Sequence, residues 1–344
     1  MKKNLLFASL LVVLFPELRA QDQHFTQFYA SPQMLNPALT GAFEGRYRVS
    51  AIYRDQWRRM LDEPIRTFAV AGDLRFDPPG KATTNDAIGL GLAFFNDKVN
   101  VVDFSTTQIA ISLAYHKSLD VDGRQYLTLG LQGGLTQRNV NYASLNFQDE
   151  FDGSTGYVLP TGEGLPANNF SYPDLNVGLN YSARFGRTGA LFAGAAIHHI
   201  VQPDVSFYRQ GIAGEKLYRK ISAHLSANIP LGNSRASLLP RVLFSQQGQH
   251  AQINVGTNFR TSLGRYGSSA LHIGGWVRPV RNKDGFGLDA VVALVGFEVS
   301  NVVFGISYDI NPRVLGYGQR QSAFEISVAY LGEYENEEIL CPKF

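Results

Sequence analysis

The sequence predicts an all-β fold, a transmembrane antiparallel β-barrel of about 14 strands preceded by an N-terminal periplasmic or lumenal segment. Three features of the sequence lead to this prediction. An apolar leader begins the chain. Segments in which apolar and polar residues alternate fill most of the remainder. The connections between these segments are alternately long and short. After the leader, no stretch has the roughly 18 to 20 continuous apolar residues that a spanning helix needs.

Residues 1–20 are expected to be a signal peptide. Lys2 and Lys3 precede an apolar run from Leu5 to Phe15, and Ala20 is the small residue expected before a cleavage point. The apolar run is too short to cross a bilayer comfortably, so an N-terminal membrane anchor is the weaker alternative. Three basic residues and one acidic residue leave with the leader, so 28 of each remain from 31 and 29. A mature chain without net charge does not offer the basic surface that a nucleic-acid partner requires.

Residues 21–44 form a separate N-terminal periplasmic or plug segment. This segment is rich in aromatic and apolar residues, but Pro32 and Pro37 interrupt any helical or strand period. Exposing so many apolar side chains to water is unfavourable, so we expect them to be buried in the barrel lumen or against a periplasmic partner. The candidate plug or partner residues are His24, Phe25, Phe28, Tyr29, Pro32, Leu35, Asn36 and Pro37, together with Arg54, Asp55 and Trp57 where the first strand ends.

Residues 45–330 are predicted to form the outer-membrane barrel. In a representative segment, Ile109, Ile111 and Leu113 alternate with Gln108 and Ser112. About 14 such segments approach the 9 to 11 residues of a tilted membrane strand, and bacterial outer-membrane barrels generally have an even number of strands. A β-sandwich also alternates, but it does not need so many long strands that end in interfacial aromatic residues.

The connections indicate which way the barrel faces. If the chain starts in the periplasm, long connections such as 138–173 and 199–219 fall outside, and short ones such as 118–124 and 300–301 fall inside. Both termini are then periplasmic. Residues 331–344 are expected to be a periplasmic tail, either disordered or a contact site, whose candidate residues are Cys341 and Phe344.

Several charged residues of the first hairpin occupy strand positions that are predicted to face the lumen. They are Arg46, Arg48, Asp73 and Arg75, with Arg54 further along the first strand. They could form a charged constriction or a docking site for a plug. Because inward charges are expected in a polar lumen, an ion-pair network that fills the interior is the favoured interpretation.

Motifs that carry chemistry are absent from the sequence. It contains no G-x-S-x-G, no H-E-x-x-H and no phosphate-binding loop, so we expect no enzymatic activity and no cofactor. The single cysteine, Cys341, has no neighbouring Cys/His cluster, so neither a disulfide scaffold nor a zinc site is expected.

The run from Gln21 to Gly41, followed by Tyr53-Arg54-Asp55-Gln56-Trp57, resembles the PorP/SprF family of type IX secretion system membrane proteins of Bacteroidetes. The resemblance continues through Ser307 to Asn311, Phe324 to Ser327 and the ending Cys341 to Phe344.

This resemblance implies an outer-membrane protein that supports export or surface attachment of cargo, including gliding adhesins, through contacts at its periplasmic face. The partners it implies are other type IX secretion system proteins, secreted cargo and outer-membrane lipid. The resemblance implies no catalytic residues. A passive outer-membrane porin or small-solute channel is the alternative.

Overall fold

Strand structure follows the alternation of apolar and polar residues from Tyr47 to Gly332. The computed structural model describes residues 22–43, 45–58, 60–61, 63–78, 85–186, 188–208, 216–232, 235–263, 269–282, 285–312 and 321–332. The predicted signal peptide and the tail candidates Cys341 and Phe344 lie outside the described residues. The strands are β1 (Tyr47–Gln56), β2 (Ile65–Phe76), β3 (Ala87–Val99), β4 (Phe104–Ser118), β5 (Gln125–Val140), β6 (Asn169–Phe185), β7 (Gly189–His198), β8 (Lys220–Pro230), β9 (Ala236–Gln247), β10 (His250–Leu263), β11 (Ser269–Asn282), β12 (Gly285–Val299), β13 (Val302–Ile310) and β14 (Ser322–Gly332).

These strands close into a ring in which each strand pairs antiparallel with its neighbours in the sequence. The first and last strands complete the ring, with a register that runs from Tyr47 opposite Gly332 to Gln56 opposite Ala323. A closed ring leaves no strand edge without hydrogen-bond partners, as the interior of a bilayer requires. The predicted antiparallel barrel of about 14 strands is confirmed, and the β-sandwich alternative is excluded.

The barrel has an apolar outer face and a polar inner face. On β4, Ile111 exposes 59% of its surface, whereas its neighbour Ser112 exposes 0%. On β14, Ile326 is likewise exposed and Glu325 is fully buried. An apolar outer band suits contact with lipid, and the inner face can hold polar and charged groups. In the described part of the chain, no helix is long and apolar enough to cross a membrane.

Connections of different length gather at the two ends of the barrel. At the end where β1 begins and β14 finishes, tight connections such as 119–124 and 300–301 join the strands. The two longest connections, 141–168 and 199–219, lie at the opposite end. These are called the short-turn end and the long-loop end below.

Residues 22–43, named the lumenal segment below, fold into three short helical turns ahead of β1. They comprise a 3₁₀ turn at Phe28–Ala30, the α-helix α1 at Pro32–Leu35 and a second 3₁₀ turn at Pro37–Leu39.

Proline and asparagine explain why the lumenal segment breaks into turns. Pro32 and Pro37 each take the first position of a turn, where the missing N–H costs no hydrogen bond. The Asn36 side chain accepts a hydrogen bond of 2.9 Å from the Ala38 N–H and caps the second 3₁₀ turn. Because each turn ends after one cycle, the sequence of this segment keeps no period for long.

Candidate functional site

The lumenal segment lies inside the barrel, because its residues contact inward-facing groups on strands around the ring. Asp22 Oδ2 is 2.7 Å from His199 Nε2, just past β7, and 3.3 Å from Lys220 Nζ on β8. At the other end of the segment, the Gly41 N–H donates to Asp73 on β2 at 2.7 Å, and the Gly41 carbonyl accepts from Arg75 at 2.8 Å. The segment therefore runs through the lumen from the long-loop end to the short-turn end.

This course places the described residues toward the two ends of the chain at opposite ends of the barrel. Leu331 lies where β14 finishes, at the short-turn end, whereas Asp22 lies at the long-loop end. The sequence left two places open for this segment, the barrel lumen and a periplasmic partner. Its described residues pass along the length of the lumen, so Asp22 lies at the end opposite to the start of β1.

A buried charge cluster surrounds Thr26. Arg54 on β1 forms ion pairs with Glu325 on β14 and, at 3.5 Å, with Asp309 on β13. Arg278 on β11 pairs with the same Asp309 oxygen at 2.9 Å. The Thr26 hydroxyl donates to Asp309 at 2.6 Å. It also accepts from Arg54 at 3.1 Å and from Arg278 at 2.9 Å, so one residue of the segment joins charges from four strands.

Glu325 also binds the backbone of the lumenal segment. Its two carboxylate oxygens accept from the N–H groups of Thr26 at 2.7 Å and Gln27 at 2.9 Å. The Gln27 side chain is bonded at both of its polar atoms, donating to Ser307 at 3.1 Å and accepting from Ser327 at 2.8 Å. Charge-assisted bonds of this kind are directional. The barrel wall therefore holds Thr26 and Gln27 in one specific position.

An aromatic and cationic group holds the first 3₁₀ turn. Phe28 packs edge to face on Trp276 of β11 with ring centres 5.7 Å apart, and Tyr29 stacks on the same indole at 6.0 Å. The Arg241 guanidinium of β9 lies 4.1 Å from the centre of the Tyr29 ring. A cation held this close to an aromatic face in a buried site is attracted by the ring quadrupole.

Phe25 and Leu35 contact other parts of the wall. Phe25 packs edge to face on Phe95 of β3 with ring centres 6.4 Å apart. The Leu35 carbonyl accepts from Ser222 Oγ of β8 at 3.2 Å and lies 3.3 Å from His198 Nε2 of β7. Apolar packing and backbone hydrogen bonds thus act together along the segment.

Two inward-facing glycines let the second 3₁₀ turn approach the wall. Asn36 Nδ2 donates to backbone carbonyls of β6 and β7 at 3.1 and 3.3 Å. A Cβ atom at Gly178 of β6 would overlap the Asn36 amide, and one at Gly130 of β5 would overlap the backbone of Ala38. Gly133, on the outer face of the same strand β5, has open space where a Cβ would lie. The shape of the wall therefore matches the segment at this point.

The charges predicted on the first hairpin differ in their surroundings. Arg48 pairs with Asp73 through bonds of 3.0 and 2.7 Å, and it also donates to the Leu39 carbonyl at 3.1 Å. Arg48 and Asp73 therefore pair with each other and also bind the lumenal segment. Arg75, which donates to the Gly41 carbonyl, helps to hold the end of the segment. Arg46 lies just ahead of β1 and is exposed.

Asp55 and Trp57 lie where β1 leads into the next connection. Asp55 accepts from Arg58 Nε at 3.2 Å, and the Trp57 N–H donates to the Ser322 carbonyl at 2.8 Å. Trp57 takes a left-handed backbone conformation with φ of 63° as the strand ends. The hydrogen bonds of these two residues thus serve the turn and the barrel seam, and among the described residues neither forms a hydrogen bond with the lumenal segment.

The Asp22 end of the segment carries a network of buried and half-buried charges. Burial disfavours a charge on His199, but Asp22 at 2.7 Å and Asp174 at 3.0 Å raise its pKa to about 9. Burial likewise disfavours the charged form of Asp22, yet His199 and Lys220 hold its pKa well below 3.8. At neutral pH the two residues form an ion pair that fixes the start of the segment.

A cavity of about 230 Å³ remains between the lumenal segment and the wall toward the long-loop end. Its lining includes His24, whose pKa burial and the nearby arginines Arg278 and Arg54 lower well below 6.5. Within the described ranges, no three His, Cys, Asp or Glu side chains gather closely enough to hold a metal ion.

The barrel residues that bind the lumenal segment could not be identified from the sequence. Trp276, Arg241, Asp309 and Glu325 have inward parity in their strands, which marks them as lumenal but not as partners of a particular segment. Thr26 lies within the predicted plug segment, residues 21–44, but nothing in its small polar side chain predicts a central role.

These features define the class of protein as a membrane β-barrel that holds its own N-terminal segment in the lumen. A family model described as type IX secretion system membrane protein PorP/SprF matches residues 17–330. The chain therefore belongs to the PorP/SprF family, as the resemblance of its motifs indicated.

Two of the solved structures that resemble this chain are channels. The TodX monoaromatic hydrocarbon channel deltaS2 mutant superposes with a TM-score of 0.52 at 11% identity, covering 89% of this chain and 94% of that one. The CymD monoaromatic hydrocarbon channel gives a TM-score of 0.50 at 9% identity, with 89% and 94% covered. At these identities the likeness concerns the barrel fold alone. Comparison with curated proteins gives no match.

Proposed function

We propose that this chain is a plugged outer-membrane barrel of the type IX secretion system, which supports export or surface attachment of cargo proteins through protein–protein contacts. One observation carries the proposal. The lumenal segment hydrogen-bonds to the wall from Asp73 on β2 to Glu325 on β14, with an ion pair at Asp22. A segment bound in this way blocks the path that an open pore would need.

The proposed orientation follows from the lengths of the connections. In outer-membrane barrels, short turns face the periplasm and longer loops face outwards. The short-turn end is then periplasmic, and the chain that follows Gly332 enters the periplasm. Asp22 lies toward the outside, with outer-membrane lipid around the strands.

The proposed contact surface for other type IX secretion proteins and for cargo is the periplasmic end. The short turns, the Arg75 end of the lumenal segment and the tail with Cys341 and Phe344 are the elements that this surface would include. The plug contributes by keeping the barrel closed to solutes while its partners work.

The alternative is a passive porin or small-solute channel, and the cavity toward the long-loop end is the observation that favours it. Conductance in planar lipid bilayers separates the two functions. We expect the purified wild-type barrel to be closed, and a variant lacking residues 22–41, made with its leader retained, to conduct steadily. A steady current through the wild-type barrel would contradict the plug.

Secretion is tested separately in cells. The variant lacking residues 22–41 should assemble in the outer membrane but fail to export cargo, whereas removal of a stretch of equal length from the 141–168 connection should leave export normal. Normal export by the plug deletion would show that the plug is not needed for secretion. Absent export by both deletions would place the defect in barrel assembly.

A further inference from the structure

We propose that the cavity beside the lumenal segment binds a zwitterion with an apolar side chain, namely a free hydrophobic amino acid or a dipeptide. The proposal rests on two charged residues of opposite sign, Asp97 and Arg138, which both line this cavity. It is independent of any role in secretion.

Asp97 on β3 is a buried carboxylate, and Arg54, a cation that acts on it electrostatically, is already paired with Glu325 and Asp309. It is 3% exposed and accepts a hydrogen bond of 2.7 Å from Thr67 Oγ1. Gln23 of the lumenal segment lines the cavity beside it. Among the described residues, no Lys, Arg or His forms an ion pair with Asp97. A buried carboxylate in this position is costly unless a positive group neutralises it.

Arg138 on β5 carries the opposite charge, and its guanidinium has an N–H without a partner. Its Nε atom is buried without a hydrogen-bond partner, and its guanidinium lies 5.7 Å from the centre of the Tyr172 ring. In the part of the chain that the structure describes, no carboxylate forms an ion pair with it. A guanidinium with an unused Nε–H is suited to bind a carboxylate.

The two charges lie in one row across the barrel wall. Asp97 is directly opposite Thr106 on β4, and Thr106 is directly opposite Arg138 on β5. Two strand spacings separate the backbones of the charged residues by about 10 Å. A small molecule whose ammonium and carboxylate groups are a few ångströms apart would span this distance, with its ammonium at Asp97 and its carboxylate at Arg138. Thr106 lines the cavity between the two.

The remaining charges that line the cavity already have partners. Asp22, Asp174, His199 and Lys220 form the ion-paired network at the start of the lumenal segment. Their charges are therefore used within the protein, and Asp97 and Arg138 are the pair left for a ligand.

Aromatic side chains supply the apolar part of the site. Phe25, Phe95, Phe104 and Tyr172 line the same cavity as the two charges. Phe104 also contacts Phe207, which comes from the long connection after β7, with ring centres 6.3 Å apart. Ligand pockets commonly combine such apolar walls with a few polar groups that set orientation.

The test is isothermal titration calorimetry of the full barrel in detergent. The probes L-phenylalanine and the dipeptide Phe-Phe show whether the cavity takes a free amino acid or a dipeptide. N-acetyl-L-phenylalanine lacks the ammonium group, and L-phenylalanine amide lacks the carboxylate. We expect each of these two analogues to bind the wild-type barrel about tenfold or more weakly than L-phenylalanine, because each loses one charged contact. Binding of both analogues as tight as the parent, or no binding of any probe at millimolar concentration, would overturn the proposal.

Two variants test which residue binds the ammonium group of the ligand and which binds its carboxylate. Asp97→Asn should weaken L-phenylalanine but leave N-acetyl-L-phenylalanine unchanged, and Arg138→Gln should weaken L-phenylalanine but leave the amide unchanged. Asp103→Asn and Lys98→Gln, at a partly exposed ion pair of 3.1 Å near the same end, are the matched controls and should bind like wild type. Equal losses for all four variants would contradict the assignment. If a variant fails to fold, as judged by heat-modifiable migration on gels, the analogues with wild-type protein still decide the question.

Discussion

Arg54 and Glu325 stand directly opposite each other on β1 and β14, and their side chains form an ion pair inside the barrel. The pair therefore bridges the seam where the first and last strands meet. The same carboxylate accepts the backbone N–H groups of Thr26 and Gln27. Closing the barrel and docking the lumenal segment thus share one buried group.

The first prediction concerns loss of this charge. Glu325→Gln should lower the free energy of unfolding by about 1.5–3 kcal/mol, because Arg54 keeps Asp309 but loses one of its two carboxylate partners, and the Thr26 and Gln27 N–H groups lose a charged acceptor. Urea unfolding of the refolded barrel, followed by heat-modifiable migration on gels, measures the change. The double variant Arg54→Met/Glu325→Leu should not regain the loss, since it removes both charges together but leaves the buried N–H groups of Thr26 and Gln27 without their acceptor.

Arg58→Gln is the control for the seam pair. Arg58 pairs with Asp55, but its side chain is 68% exposed. An exposed ion pair contributes little, so this variant should stay within about 1 kcal/mol of wild type. Equal destabilisation by Arg58→Gln and Glu325→Gln would show that burial of the seam pair is not what matters.

A second prediction uses the fit between Gly130 and the second 3₁₀ turn. Gly130→Ala places a methyl group on the backbone of Ala38 and should displace the lumenal segment, whereas Gly133→Ala on the same strand meets open space. We expect the Gly130 variant to show ion conductance in planar bilayers and faster proteolysis of the segment. The Gly133 variant should match the wild type in both measurements. A closed and protease-resistant Gly130 variant would mean that the segment does not rest on this glycine.

The barrel could be predicted from the sequence because strand alternation is local. Ile111 and Ser112 are adjacent, so a period of two assigns them to opposite faces without knowledge of the rest of the chain. The wall contacts of the lumenal segment are different. Arg54 and Glu325 are separated by 271 residues, and their pairing depends on the register with which the ring closes. No short-range pattern carries that register.

The path of the lumenal segment could not be predicted for a related reason. Parity places Arg48 and Asp73 in the lumen, but it does not say that the chain ahead of β1 turns back along the barrel axis. The position of Asp22 is set by His199 and Lys220, which lie far away in the sequence. Gly130, read alone, looks like a weak position in a strand and not like part of a docking surface.

A third prediction concerns pH and the Asp22–His199 ion pair. The pKa of His199 is raised from 6.5 to about 9, so its contribution to holding the segment is complete below about pH 6.5 and is lost as the pH rises through 9. Asp22 has a lowered pKa, so its contribution is present above pH 3.8 and is lost only in strong acid. Protease sensitivity near residue 22 should therefore rise between pH 6.5 and 9.

The variant His199→Gln provides the comparison for this pH dependence. It removes the group that titrates between pH 6.5 and 9, so sensitivity near residue 22 should be high at pH 6.5 and should change little up to pH 9. A wild-type profile that stays flat across this range, or a variant that keeps the full pH dependence, would contradict the role given to His199.

The last prediction makes Trp276 a reporter of the docked segment. The chain has two tryptophans, so Trp57→Phe leaves Trp276 as the only one. Trp276 is buried against Phe28 and Tyr29, and its emission should lie at short wavelength. Removing residues 22–41 from this background should expose the indole and shift the emission to longer wavelength.

Substitutions of Tyr29 then separate the ring from its hydroxyl group. Tyr29→Phe keeps the aromatic face that contacts Arg241 and should leave the Trp276 emission and the unfolding midpoint close to wild type. Tyr29→Ala removes that face and opens a cavity, which should lower the free energy of unfolding by about 3–5 kcal/mol and shift the emission part of the way toward that of the deletion. Unchanged emission after deletion of residues 22–41 would mean that the segment does not pack on Trp276, and the aromatic contacts would then have no part in docking.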